Sequence, residues 1–243
     1  MITVGSLFAG IGGLELGLEW TGGFETVWQC EIDDYATKVL EKHWPDVRRC
    51  RDVRTFPPEP IDEWQCDLIC GGFPCKQTSV AAAIHGRRRG LGGTDSRLWY
   101  AQLGIIDALR PKWAIIENPA GAKTWARKIE GCLEAIGYAV SRQPVSSWGV
   151  GGPHLRRRVF WIANRDGQRL PIARLPDPPT FDSIKRGAVN GNAWRKTLSG
   201  VLRVADGIPG RMDRRARIEC LGNAVVPQVA QWIGQRILEA DAK

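Results

Sequence analysis

Short apolar runs alternating with helix-periodic segments constrain this chain more than any other feature. Ile2 to Phe8, Phe24 to Cys30, Asp67 to Cys70 and Trp113 to Ile116 read as strands, with a weaker one at Val47 to Cys50. Between them, Leu14 to Trp20, Asp34 to His43 and Ser96 to Leu109 read as helices. In the last of these, Trp99, Leu103, Ile106 and Leu109 recur at three or four residues, and Pro111 ends the element. Trp125 to Ile136 continues as helix, and Tyr138 to Val140 and Val159 to Ala163 complete the strands. Strands that alternate with helices need crossover connections, hence a mainly parallel, doubly wound α/β sheet. Such sheets hold ligands beyond the carboxyl ends of their strands. Phe8, Glu31, Asp52, Cys75 and Glu117 all fall just past expected strand ends.

With 243 residues, 43% of them hydrophobic, the chain can build one full α/β core and a small appended region. A formal charge of +8 favours a polyanionic partner, nucleic acid first, although charge alone does not decide it. Seven cysteines without C-x-x-C spacing argue against a disulfide framework, and three dispersed histidines against a structural metal site. No apolar run approaches the ~20 residues of a membrane span, and Met1-Ile2-Thr3-Val4-Gly5 lacks a signal-peptide pattern. The expectation is a reducing, cytoplasmic setting, a monomer, no metal and no membrane.

Past Asn164 the periodicity stops. Prolines at 171, 176, 178 and 179 and glycines at 187, 191 and 200 interleave with basic residues, the mark of a loop-rich insert. Three regions are therefore expected: 1–163 as the main domain, 164–205 as a small insert, and 206–243 as a segment returning to the main domain. That return ends in a helix opened by Pro227, with Val229, Trp232, Ile233 and Ile237 on one face.

Several residues could carry chemistry. In Phe8-Ala9-Gly10-Ile11-Gly12-Gly13, glycines let the backbone approach a ligand at a helix start, and Glu31 follows about twenty residues on, where a carboxylate can take ribose hydroxyls. By itself this fits a nicotinamide nucleotide as well as any other nucleotide-like cofactor, or a simple tight turn. Cys75 follows Gly71-Gly72-Phe73-Pro74, with Lys76 near enough to lower its pKa; buried free cysteines are more often inert. Glu117-Asn118-Pro119 closes another strand, and a thiol and a carboxylate at two strand exits make a nucleophile and acid/base pair. Arg156 and Arg158 would share one face of an extended strand, converging on a carboxylate or phosphate, or forming only a solvated basic stretch. The loop from His85 to Gly93, carrying Arg87 and Arg88, has the composition of a phosphate-touching lid or of an exposed turn.

Taken in order, these blocks resemble the DNA (cytosine-5)-methyltransferase family. Phe8 to Gly13 is similar to its cofactor motif, Gly71 to Ser79 to its Pro-Cys motif, and Glu117-Asn118 to its Glu-Asn motif. His154-Leu155-Arg156-Arg157-Arg158 resembles its Gln-x-Arg-x-Arg motif, and Gly222-Asn223-Ala224-Val225-Val226-Pro227 its last motif. His154 stands where the family has glutamine, Lys76 intrudes after the cysteine, and the segment between Arg158 and Gly222 is short for the family. The resemblance implies a Rossmann-like S-adenosyl-L-methionine-dependent fold whose insert reads duplex DNA, and a restriction–modification setting.

It also implies roles. Cys75 would add to carbon 6 of a flipped-out cytosine, Glu117 would act at N3, and Arg156 and Arg158 would orient the base. Phe8, Gly10, Ile11, Gly13, Glu31, Ile32, Asp52, Val53, Pro74, Leu98, Asn223 and Ala224 would line the cofactor. Ser79, Asn118, Arg87 and Arg88 are the candidate substrate contacts.

Overall fold

The computed structural model describes residues 1–56, 60–74, 97–119, 123–151, 156–171, 173, 175 and 220–242. Seven strands form one sheet: β1 (Ile2–Leu7), β2 (Phe24–Cys30), β3 (Arg48–Cys50), β4 (Leu68–Gly71), β5 (Trp113–Pro119), β6 (Ala139–Ser146) and β7 (Arg157–Asn164). Their order is β3-β2-β1-β4-β5-β7-β6. β3 through β5 pair parallel, while β7 runs antiparallel to both β5 and β6. The expected doubly wound α/β sheet is present, with one reversed strand inserted near its end.

Among the described residues, five α-helices flank the sheet: α1 (Gly13–Glu19), α2 (Asp34–His43), α3 (Leu98–Leu109), α4 (Lys123–Ala135) and α5 (Pro227–Asp241). Leu14 and Leu18 of α1 and Val229, Ile233 and Ile237 of α5 pack with Val4, Leu68, Trp113 and Ile115. Trp99 and Ile106 of α3 and Ile129 and Leu133 of α4 pack with Leu7, Ile69, Ala114 and Ile116. Successive side chains of a strand point to opposite faces, so these two clusters are the two faces of one layered core. β5 is covered on both faces and reads as a continuous apolar run from Trp113 to Ile116, as a central strand must.

Three strands outrun their sequence boundaries by more than one residue; β7, expected over Val159 to Ala163, spans Arg157–Asn164. β5 was expected to stop at Ile116 but continues to Pro119, because antiparallel β7 keeps pairing with it: Glu117 with Phe160, Asn118 with Val159, Pro119 with Arg158. Glu117 therefore sits inside a strand and not just past one. β6 was expected to end at Val140 but runs to Ser146, with Val145 and Gln143 buried beside exposed Arg142 and Pro144. Pro144 is tolerated because β6 is an edge strand, where a missing N–H need not break a ladder.

The C-terminal helix is fastened hard to the sheet. Cβ atoms placed on Gly17 would stand 2.1 Å from Pro227 O and 2.5 Å from Ala230 Cβ, so α1 and α5 meet backbone to backbone. At the other end of α5, Asp241 Oδ1 accepts from Trp113 Nε1 at 3.0 Å and pairs with Lys112 Nζ at 2.7 Å. The chain also keeps to the body past β7: Leu170 is buried with the α5 cluster, and Gln143 exchanges two hydrogen bonds with the Ala173 backbone. Of the expected 164–205 insert, residues 172, 174 and 176–205 lie outside the described residues.

Candidate active site

On one side of the sheet, the segments following β1, β2 and β3 carry Phe8 to Gly13, Glu31 with Ile32, and Asp52 with Val53. The turn after β1 needs unusual backbone: Phe8 has φ 53, Gly10 φ 57 and Gly12 φ 82. Glycine adopts such angles freely, whereas Phe8 bears a left-handed conformation costing about 1–2 kcal/mol. Glu31 holds the turn in place. Its Oε2 accepts from Gly10 N at 2.7 Å and its Oε1 from Asp33 N at 2.8 Å. Each oxygen retains further acceptor capacity, so the carboxylate can still take hydroxyl donors. Asp33 in turn caps α2 by accepting from Ala36 N at 2.8 Å.

Among the described residues, the space above Gly10 is open: none of their atoms beyond its chain neighbours lies within 4 Å of a Cβ placed there. Ile32, next in sequence to Glu31, is an apolar side chain left 60% exposed. Asp52 caps a short 3-10 turn (Val53–Thr55) and binds the Arg54 guanidinium, which pulls its carboxyl down to about 2. Val53 is buried; Ile11, Pro74, Leu98 and Ala224 are half-buried and Asn223 exposed. Gly13 has a separate function. A Cβ there would meet Val225 O at 2.3 Å, so the C-terminal segment lies directly on the loop.

The other side is built from the exits of β4 and β5 and the start of β7. Glu117 is 7% exposed. Arg158 Nε approaches its Oε1 to 2.7 Å, off the line of a hydrogen bond, so that oxygen has no aligned partner among the described residues. Oε2 faces Gly72, where a Cβ would stand only 2.6 Å away; the glycine is what leaves room for the carboxyl. Burial pushes the Glu117 pKa up, and the nearby Arg158 and Arg156 charges oppose that push. Asn118 is fully buried and donates from Nδ2 to Phe73 O at 3.3 Å, tying the Phe73-Pro74 turn to β5. Cys75, the next residue, lies outside the described residues, as do Ser79, Arg87 and Arg88.

Arg158 behaves as the strand alternation requires, half-buried toward Glu117 while Arg157 is exposed. Arg156 does not reach the carboxyl. Its Nη1 donates to Gly222 O at 2.6 Å and its Nη2 to Asn223 O at 3.0 Å. Its Nε is buried without an acceptor among the described residues, and burial lowers its pKa.

Sequence reasoning missed Glu15. This side chain of α1 is fully buried against Ser6 of β1 and Gln29 of β2, and burial raises its pKa to about 7. None of these three side chains has an aligned hydrogen-bond partner among the described residues. The signal was present: Glu15 stands three residues before Leu18, on the apolar face of the helix. Among the described residues, no group of three or more His, Cys, Asp or Glu side chains is arranged to hold a metal ion.

A seven-stranded sheet with a reversed β7, a glycine turn after β1 and an acidic residue at the end of β2 defines a Rossmann-like methyltransferase fold. Among solved structures, a DNMT2 mutant from Spodoptera frugiperda shares it with a TM-score of 0.58 and 21% identity, covering 73% of this chain and 56% of that one. The sequence profile described as C-5 cytosine-specific DNA methylase matches residues 2–195, and the chain belongs to that family. Among curated relatives, the type II methyltransferase M2.BsuMI of Bacillus subtilis (strain 168) is 30% identical over 219 residues, covering 84% of this chain and 54% of its own length. M.Bsp6I of Bacillus sp. (strain RFL6) is 31% identical over 198 residues, covering 78% of this chain and 61% of its own. The chain thus spans little more than half the length of these relatives. No helix among the described residues is long and apolar enough to cross a membrane.

Proposed function

We propose that this protein is a DNA (cytosine-5)-methyltransferase that uses S-adenosyl-L-methionine. The observation that carries the reading is the Glu117 carboxyl. It is buried, held toward its protonated form, paired with Arg158, and packed over Gly72 three residues before Cys75. A carboxyl whose proton is retained by burial suits protonation or hydrogen bonding at a ring nitrogen. The donor set on the other side fits the cofactor: Glu31 for the ribose hydroxyls, exposed Ile32 for the adenine face, and open space over Gly10.

When bound, S-adenosyl-L-methionine supplies an electrophilic methyl group. Cys75 as thiolate adds to carbon 6 of cytosine, forming the S–C bond and shifting electron density toward carbon 5. Glu117 places its proton at N3 and neutralises the charge that develops there. Arg158 keeps the carboxyl oriented. After carbon 5 carries the methyl group, N3 returns its proton to Glu117, and loss of the carbon 5 hydrogen as a proton to solvent drives the S–C electron pair back to Cys75 and restores the ring. A stacked base cannot enter such a site, so the target nucleotide flips out of duplex DNA. Asn118 positions the turn that carries Cys75. Ser79, Arg87 and Arg88 contact the flipped strand, and 164–205 reads the target sequence. The enzyme acts in the cytoplasm as a monomer, in a restriction–modification setting like its type II relatives.

Tritiated methyl transfer to unmethylated duplex DNA, with base-resolution mapping of 5-methylcytosine, tests this. The expected outcome is methylcytosine in one sequence context, abolished by Cys75→Ala while cofactor and DNA binding persist. Full transfer by Cys75→Ala would overturn the mechanism. Methyl incorporation into transfer RNA and none into DNA would overturn the substrate.

A further inference from the structure

Arg156 spends its two terminal nitrogens on backbone, 66 and 67 residues away in sequence. The acceptors, Gly222 O and Asn223 O, close a single helical turn at 220–223, where carbonyls have no partner further along. A planar guanidinium fork matches two adjacent carbonyls, and a cation suits the end of a helical turn. Just beyond, Val225 O presses on the backbone of Gly13, and Pro227 opens α5 against Gly17. The segment 222–227 therefore has Arg156 on one flank and the glycine turn of the cofactor side on the other.

We infer that Arg156 is a positioning residue: acting through the carbonyls of Gly222 and Asn223, it holds the 222–226 segment against the Gly-rich turn and so governs cofactor affinity, not the base step. The inference rests on the methyltransferase reading above. It divides the arginine pair, leaving Arg158 alone in contact with Glu117. It also explains how a residue on the Glu117 side can affect a pocket whose other wall is the β1 turn.

The test compares full-length wild type, Arg156→Ala, Arg156→Lys and Arg158→Ala. S-adenosyl-L-methionine binding is measured by calorimetry, methyl transfer to duplex DNA by steady-state kinetics, and amide hydrogen exchange across 220–227 by mass spectrometry. Loss of two charge-assisted hydrogen bonds should raise the Kd and KM for cofactor about tenfold or more in Arg156→Ala. Its kcat at saturating cofactor should stay within about threefold, because only binding is affected. Exchange across 220–227 should quicken, and Lys should recover part of each loss. Arg158→Ala should show the opposite split, with kcat falling and cofactor Kd retained. An Arg156→Ala enzyme with normal cofactor Kd, normal exchange and low kcat would overturn the inference and return Arg156 to the base. If Arg156→Ala fails to fold, the Lys variant decides, since it keeps the charge and loses the fork. A wild type that binds cofactor but methylates no DNA would sink the functional reading, while exchange and Kd in the variants would still decide the clamp.

Discussion

Two glutamates are buried against the sheet, Glu15 of α1 and Glu117 of β5, and the two are treated differently. Glu15 packs with Ser6 and Gln29; burial dominates its rise, and the charge of another acid, Glu19, adds a lesser push upward. Glu117 lies against Gly72 with Arg158 beside it and Arg156 nearby. Burial raises both pKa values, but only Glu117 has cations opposing the shift. Without a cation, burial holds the Glu15 proton up to about pH 7. A carboxyl with cations can exchange its proton at modest cost, which is what a catalytic acid needs. Burial alone therefore does not identify an active acid; the opposing charge does.

The sharpest way to break this comparison is Glu117→Gln. It keeps the shape over Gly72 and removes the proton. The expected loss in kcat is on the order of 10²- to 10⁴-fold, with cofactor Kd unchanged in calorimetry. A Gln variant with near-normal turnover would make the two glutamates equivalent.

Glu15→Gln should leave kcat intact and change stability instead. The folded-state pKa of about 7 lies above the ordinary 4.5, so the folded chain holds the proton more tightly than the unfolded chain. That stabilisation is fully present below about pH 4.5 and is lost as pH rises to about 7. The span corresponds to roughly 3 kcal/mol. Urea unfolding of both proteins from pH 4.5 to 8 should show the wild type losing stability relative to Glu15→Gln as pH rises. Parallel curves would mean that Glu15 is ionised in the fold.

A smaller effect is expected where α1, the helix that carries Glu15, meets α5. Gly17→Ala places a methyl group 2.1 Å from Pro227 O. The helices must separate, at about 1–3 kcal/mol, read as a lower Tm with cofactor KM rising as the 222–226 segment shifts. An unchanged Tm would show that the contact yields freely.

The cofactor half was the more legible in sequence. Glycines at 10, 12 and 13 announce a turn that needs positive φ and close backbone approach, and Glu31 appears at the spacing a βαβ unit dictates. Both are local signals. The Glu117 half was legible as residue types but not as geometry. Glu117 was expected past a strand and lies within one, because the antiparallel β7 that extends β5 arrives some forty residues later in the chain. Arg156 and Arg158 read as a matched pair, yet one meets Glu117 and the other two distant carbonyls.

By itself, then, the sequence determined the alternation of strands and helices, the glycine turn, the acidic residue that braces it, and the start of α5 at Pro227. Those depend on backbone angles and on periodicities of two and 3.6 residues, which neighbouring side chains specify. Only the tertiary structure decided that β7 reverses, that Gly72 clears space for Glu117, that Glu15 is buried against Ser6 and Gln29, and which acceptor each arginine takes. Each of these depends on desolvation or contact between segments tens of residues apart, and no local pattern encodes such a distance.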